Sequence, residues 1–305
     1  MTTNAPLEKI SSDLFNERQI WVKRDDLLHP TISGNKYRKL EHALPRHQPG
    51  LVVSMGGPWS NHLHALAFAC YERGWPSYGF VRGLRSEDTE LTATLRDCQR
   101  WGMRLQFISR IDYKKLRDDP QYWQSLIPNN IANSLWLEEG GRGIDALRGL
   151  QELPFEIAQQ LGATPDYLAC ACGTGTTLAG LALGARLTHQ TSTKVLGISA
   201  VGEGNQLHQR IYDLLSLAGH AAIDNYQIRT EFDHGGFAKT TPKLIDFCER
   251  FTRDTKIPIE PVYTGKLFFA LSQLCQVGYF SKTDRIVAIH TGGLQGARSK
   301  VQGKT

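Results

Sequence analysis

"LVVSMGGPWSNHLHALAFACYERG" (51–74) carries the pattern that decides the fold. A β-branched, apolar run at Leu51–Ser54 has the composition of a strand, the glycines and Pro58 break it, and a helix is expected from about Asn61. Ser60 and Asn61 are both good residues to cap that helix. The same plan returns in "YLACACGTGTTLAGLALGARL" (167–187), with a strand near Tyr167–Cys172. "PSYGFVRG" (76–83), "RLQFISR" (104–110), "KVLGISAVG" (194–202) and "RIVAIHTGGLQG" (285–296) read as further strands. Strands alternating with helices predict an α/β protein with parallel layers.

Two turn-rich stretches suggest where the chain divides. "LPRHQPG" (44–50) precedes the strand at Leu51, and "GGRGIDALRGLQELPFEIAQQLG" (140–162) moves from a glycine-rich loop into what reads as one long helix. The expectation is a smaller α/β domain, 48–153, inserted into a larger one made of 1–47 and 154–305. Ligands of open α/β sheets collect beyond the carboxyl ends of the strands, so the cleft between two such domains is the expected site.

Composition narrows the function classes. The 305 residues are 41% hydrophobic and 21% charged, as in an ordinary soluble globular protein. No apolar run approaches the length of a membrane span, and "MTTNAPLEKI" has no positive segment leading into an apolar one, so no secretory signal is read. The six cysteines form no CxxC pair and read as buried reduced thiols, which places the chain in the cytoplasm. His29, His62 and His290 have no paired ligand spacing, so no metal is expected. The net charge of +5 is interleaved with acids, which suits an anionic small molecule better than a nucleic-acid groove. "RSEDTE" (85–90) and "RDDPQ" (117–121) read as solvated surface.

Three strand-end loops carry chemistry. In "CGTGTTLAG" (172–180), Gly173 and Gly175 permit tight turns and Thr174, Thr176 and Thr177 offer hydroxyls. Amides at the following helix N-terminus would then face an anion; the alternative is a glycine-rich turn with threonine caps. No P-loop lysine follows, which argues against nucleotide hydrolysis. Ser60 and Asn61 open the second helix, and Thr291 in "HTGG" (290–293) ends the last strand. "SGNKYRKLEHAL" (33–44) adds Lys36, Arg38 and Lys39 at the start of a helix. They are either three solvated basic residues or an entry where neighbouring cations and the helix N-terminus lower the pKa of Lys36 until it reacts. A reactive lysine combined with a phosphate cup is what pyridoxal phosphate requires.

"VKRDDLLHPTISGNKYRKLEHAL" (22–44), "SMGGPWSNHLHALAFA" (54–69), "ACGTGTTLAG" (171–180), "PVYTGK" (261–266) and "IHTGG" (289–293) together resemble the aminocyclopropane-carboxylate deaminase and D-cysteine desulfhydrase family. The resemblance implies a tryptophan-synthase-β-like, type II pyridoxal-phosphate fold: two open twisted parallel sheets with the cofactor between them. It implies that Lys36 holds pyridoxal phosphate covalently and that Asn61 contacts its ring oxygen. Ser60 would bind the substrate carboxylate or assist proton transfer. The Gly173–Thr177 loop would hold the phosphate with help from Lys39, and Tyr263 would lie near substrate and ring. Thr264 occupies the position near the pyridine nitrogen that is glutamate in the deaminases. With Thr291, it resembles the hydroxyl pair of the desulfhydrases, which implies β-elimination from a D-cysteine-like amino acid. Opening of an aminocyclopropane ring is the alternative. Trp59 stands where the family usually has glutamine and Phe237 where many members have tyrosine. These departures leave room for a protein that binds pyridoxal phosphate or senses an amino acid without turnover. A homodimer is the assembly the resemblance implies.

Overall fold

The computed structural model describes residues 5–86, 89–127, 131–202 and 204–300, the side chains of 297, 299 and 300 excepted, so Glu87 and Asp88 of the "RSEDTE" run lie outside it. Ten strands are described: β1 (Leu7–Ile10), β2 (Ile20–Lys23), β3 (Val52–Gly56), β4 (Ser77–Arg82), β5 (Arg104–Ile108), β6 (Leu135–Leu137), β7 (Tyr167–Cys172), β8 (Lys194–Ser199), β9 (Tyr226–Arg229) and β10 (Ile286–Ile289). The helices are α1 (Asn35–Ala43), α2 (Asn61–Arg73), α3 (Ala93–Arg100), α4 (Arg110–Asp118), α5 (Trp123–Leu126), α6 (Ile144–Gln151), α7 (Leu153–Leu161), α8 (Thr176–Leu187), α9 (Gly204–Leu217), α10 (Pro242–Thr255) and α11 (Thr264–Gln276).

They build two sheets, one of six strands in the order β1-β2-β10-β7-β8-β9 and one of four in the order β5-β4-β3-β6. All neighbours run parallel except β1, which pairs antiparallel with β2 in the register Leu7 to Lys23. That edge pair departs from the all-parallel expectation. No long crossover helix separates β1 from β2, so the chain returns antiparallel.

The central strands β2, β10, β7 and β8 of the larger sheet are buried on both faces, and their period-two alternation sends neighbours to different cores. Ile286 and Ala288 pack with Phe251, Phe268 and Leu271 of α10 and α11. Val287 and Ile289 pack on the other face with Leu178, Leu181 and Ile211 of α8 and α9. In the smaller sheet Val52 and Val81 meet Leu63 and Leu66 of α2, while Val53, Met55 and Phe80 meet Tyr113 and Leu116 of α4. Each such buried aliphatic side chain contributes about 1.5–3 kcal/mol.

The single long helix expected after Gly143 is two helices. Glu152 separates α6 from α7, and Pro154 sits in the first turn of α7, where its missing N–H is harmless but where it cannot continue α6. We propose that the two lobes divide close to residues 47 and 153. The packing crosses that line: Leu147 and Leu150 lie in a core of the larger sheet, and Leu40 and Leu44 in a core of the smaller.

Candidate active site

The site begins where α1 begins. Gly34 has φ +67°, and a Cβ there would lie 2.0 Å from the carbonyl oxygen of Thr291, so only glycine allows the two loops to touch. The Asn35 amide donates to that same oxygen at 3.4 Å. The loop after β10 is thereby laid directly on the start of α1.

Lys36 follows in the first turn, half-buried, with its Nζ donating to Asn35 Oδ1 at 3.0 Å. Burial lowers its amine to about 8. Arg38, expected to add its charge to this effect, points elsewhere and is neutralised. Its guanidinium grips Asp25 at 2.7 and 2.9 Å and Glu156 at 2.8 and 2.8 Å. Lys39 does face the cavity. It is 2% exposed, donates to the Gly140 carbonyl at 3.0 Å, and is held well below the usual lysine range by burial and by Lys36.

Across the cavity lies the loop between β7 and α8. Gly175 takes a left-handed conformation, φ +84°, as the N-cap of α8, and no side chain caps that helix. The first-turn amides of Thr176 and Thr177 therefore remain available to an anion, aided by the helix dipole. Thr174 and Thr176 hydroxyls lie 3.1 Å apart, and Thr177 Oγ1 accepts from Asn35 Nδ2 at 2.9 Å. This last bond ties the lysine helix to the loop, and the sequence reading had given Asn35 no role.

The third wall is the loop from β3 to α2. Ser60 is the N-cap of α2, its Oγ accepting from the Leu63 amide at 3.2 Å, which leaves its own proton to give. Asn61 Oδ1 accepts from Gln295 Nε2, so its amide nitrogen is left to donate. His62 is buried. Ser54 Oγ donates to the Leu137 carbonyl at 2.7 Å and so must accept from His62 Nε2 at 2.9 Å. His62 Nδ1 is then an acceptor, buried and without a partner among the described residues. Burial, with Lys36 and Lys39, holds the ring well below the usual histidine range.

A cavity of about 500 Å³ is lined by Lys36, Lys39, Ser60, Asn61, the Gly173–Thr177 loop, Tyr263 and Thr291, so the structure brings together all but one of the residues singled out from sequence. The exception is Thr264. It is 0% exposed and absent from the lining, with its hydroxyl within 3.2 Å of Glu260 Oε1 and accepting from the Glu260 amide at 3.0 Å. Glu260 in turn accepts the amides of Val262, Tyr263 and Thr264, so Thr264 belongs to the cap that starts α11. Tyr263 lies edge-on to Gly173, where a Cβ would stand 3.2 Å from its ring. Burial, then Glu260 and Glu139, keep its phenol protonated.

Trp59 and Phe237 stand at the rim, 40% and 45% exposed, with Phe237 6.1 Å from the Tyr263 ring. The rim also holds residues that sequence reading missed. Arg82 ends β4, and Arg117, expected on plain surface, pairs with Glu139 at 2.9 Å. No residue spacing joins these distant stretches, so only their meeting in space could identify them.

The residues fit pyridoxal phosphate. The uncapped amides of α8 suit a phosphate, the spare Asn61 Nδ2–H suits a ring oxygen, and a lysine with a lowered pKa stands between them. Among the described residues no group of histidine, cysteine, aspartate or glutamate converges as for a metal ion, and no helix is long and apolar enough to cross a membrane.

The chain is 29% identical to the bifunctional D-cysteine desulfhydrase/1-aminocyclopropane-1-carboxylate deaminase of Arabidopsis thaliana, over 94% of this chain and 75% of that protein. It is 26% identical to a putative 1-aminocyclopropane-1-carboxylate deaminase of Pyrococcus furiosus, over 91% of this chain and 85% of the other. The crystal structure of an ACC deaminase homologue superposes with a TM-score of 0.80 at 24% identity, covering 96% of this chain and 90% of that one. Residues 2–292 match the family described as pyridoxal-phosphate dependent enzymes, and the chain belongs to that family.

Proposed function

We propose that the protein is a lyase that removes a β-substituent from a small amino acid, releasing an α-keto acid and ammonia. The observation that carries this reading is one cavity with Lys36, its amine lowered to about 8, set opposite the uncapped N-terminus of α8. Bound pyridoxal phosphate would supply a sink for the electron pair left at the substrate's α-carbon.

The chain's own residues supply the rest. The amides of Thr176 and Thr177 would hold phosphate, and Lys39, 2% exposed, would add positive charge. Asn35 keeps the loop and the lysine helix in register through Thr177. Asn61, turned by Gln295, offers its Nδ2–H to the ring oxygen. Ser60 offers its hydroxyl proton to the substrate carboxylate. Lys36, its amine lowered to about 8, would act as the base that takes the substrate's α-proton. Tyr263, kept protonated, serves as a proton donor to the leaving group.

Thr291, a hydroxyl residue in the cavity lining, supports elimination over opening of a cyclopropane ring through its resemblance to the desulfhydrases; Thr264, bound to Glu260 outside the lining, adds nothing to that choice. The names of the relatives favour the deaminase as second reading. A homodimer is proposed on the family resemblance alone and a cytoplasmic location on the six free cysteines; light scattering decides the first and fractionation the second. The test of function is keto-acid release from D-cysteine, β-chloro-D-alanine and aminocyclopropane carboxylate, with Lys36→Ala as control. Pyruvate from the first two supports the lyase, and 2-oxobutyrate from the third supports the deaminase. A cofactor band that shifts with amino acids without product would instead support a silent binding protein.

A further inference from the structure

The charges lining the cavity are unbalanced. Lys36, Lys39, Arg82, Arg117 and Arg210 face a single carboxylate, Glu139. Most of these have work already. Lys36 and Lys39 stand beside the cofactor's place. Arg117 is neutralised by Glu139, which also accepts from Tyr113 Oη at 2.6 Å. Arg210, on α9, donates to Gln206 at 3.3 Å. Arg82 is different. Among the described residues it has no carboxylate partner, and its guanidinium lies against the face of the Tyr113 ring at 5.6 Å. Stacking on a ring uses the plane of a guanidinium and leaves its edge N–H groups free to grip an oxyanion.

Its position is as telling as its freedom. Arg82 is the last residue of β4, at the strand's carboxyl end, where open α/β sheets present ligand contacts. Its Nη2 reaches to 3.7 Å from the point where a side chain on Gly57 would begin. Gly57 accepts the Ser60 amide at 3.0 Å, so the guanidinium hangs over the loop that carries Ser60. Trp59 and Phe237, two exposed aromatics at the rim, present no opposing charge.

We infer that Arg82 is a specificity residue and that the substrate is an amino acid bearing a second anionic group on its side chain. This rests on the elimination proposed above and names its substrate class. With cysteate the step is redox-neutral: the α-proton is removed, the Cβ–S bond breaks, and sulfite leaves with the electron pair. With O-phosphoserine the Cβ–O bond breaks and phosphate leaves. In both cases the released enamine takes up water to give pyruvate and ammonia.

The test compares kcat/KM of the cofactor-loaded enzyme for cysteate and O-phosphoserine with that for cysteine and β-chloroalanine, in both enantiomers. Wild type, Arg82→Gln and Arg82→Lys are assayed side by side. Calorimetric binding of aspartate against alanine gives a readout that needs no turnover. A charge-assisted contact of this kind predicts an acidic-substrate preference of about tenfold or more in wild type. Arg82→Gln should remove most of that preference, lowering the acidic substrates far more than the neutral ones, and Arg82→Lys should restore part of it. Aspartate should bind more tightly than alanine only when Arg82 is present. A wild type that prefers neutral substrates, or an Arg82→Gln variant that loses both classes equally, overturns the inference while leaving the lyase intact. Absence of keto acid from every substrate overturns the lyase, and the aspartate measurement then still decides whether Arg82 selects acidic ligands.

Discussion

Arg38 and Asp25 are joined by two parallel hydrogen bonds of 2.7 and 2.9 Å, both residues buried, two positions along α1 from Lys36. Glu156 of α7 takes the other edge of the guanidinium and also pairs with Lys23 at 3.2 Å. The helix that presents the reactive lysine is thus fastened to the segment after β2 and to α7 by ions that never meet the cofactor. Removing one charge from a buried pair leaves the other uncompensated, at a cost of about 3–5 kcal/mol. Asp25→Asn leaves Arg38 its Glu156 partner, so it should lower the unfolding free energy by about 1.5–3 kcal/mol in urea titration. A loss under about 1 kcal/mol would mean the pair carries no structural load.

Lys36 sets a pH dependence. Its amine titrates at about 8, so the neutral nucleophile grows as pH rises through that value. The rate at which apo-protein captures pyridoxal phosphate should rise from pH 7 and level off above about 9. The folded pKa lies below the unfolded one, so the unfolded chain binds more protons between them, and Lys36 adds stability as pH climbs from about 8 to the ordinary lysine value of 10.5. Apo Lys36→Met should be more stable than wild type at pH 7, with the gap closing across that window. A gap that does not change with pH would contradict the burial of the amine.

His62 should stay neutral with its proton on Nε2, because Ser54 offers only an acceptor there and burial with two lysines opposes a second proton. Nitrogen NMR of the ring from pH 8 to 5 checks both tautomer and charge. The folded pKa is depressed, so below the ordinary histidine value the unfolded state takes up the proton first and stability falls with acid. A ring that titrates near pH 6.5 would refute the assignment.

Under the role proposed for Asn61, Gln295 would act on the cofactor through it, since Asn61 Oδ1 accepts from Gln295 Nε2. Asn61→Ala removes the donor to the ring oxygen, and Gln295→Ala removes only the bond that turns it. We expect cofactor affinity to fall about tenfold or more in the first and about threefold in the second, measured by equilibrium dialysis. In an Asn61→Ala background the Gln295 change should add little, since the two act in series. Full additivity would separate them.

The sequence alone determined the α/β class and most of the parallel strands, and it singled out residues that the fold gathers in one cavity, because those features are written locally. A strand followed by glycine and a helix start is contiguous in the chain, and so are Lys36, Ser60–Asn61 and Gly173–Thr177. The short strands β1, β2, β6 and β9 were not legible, since three or four residues carry no clear period and are held by their neighbours. Only the folded chain decided the separation of "KYRK" into a half-buried lysine with a lowered pKa, an ion-paired arginine and a second lysine buried in the cavity wall. Only it turned Thr264 toward Glu260 and set Arg82 over Gly57. Those outcomes depend on partners tens to more than a hundred residues away or on competition for one hydroxyl, and no local spacing encodes which partner wins.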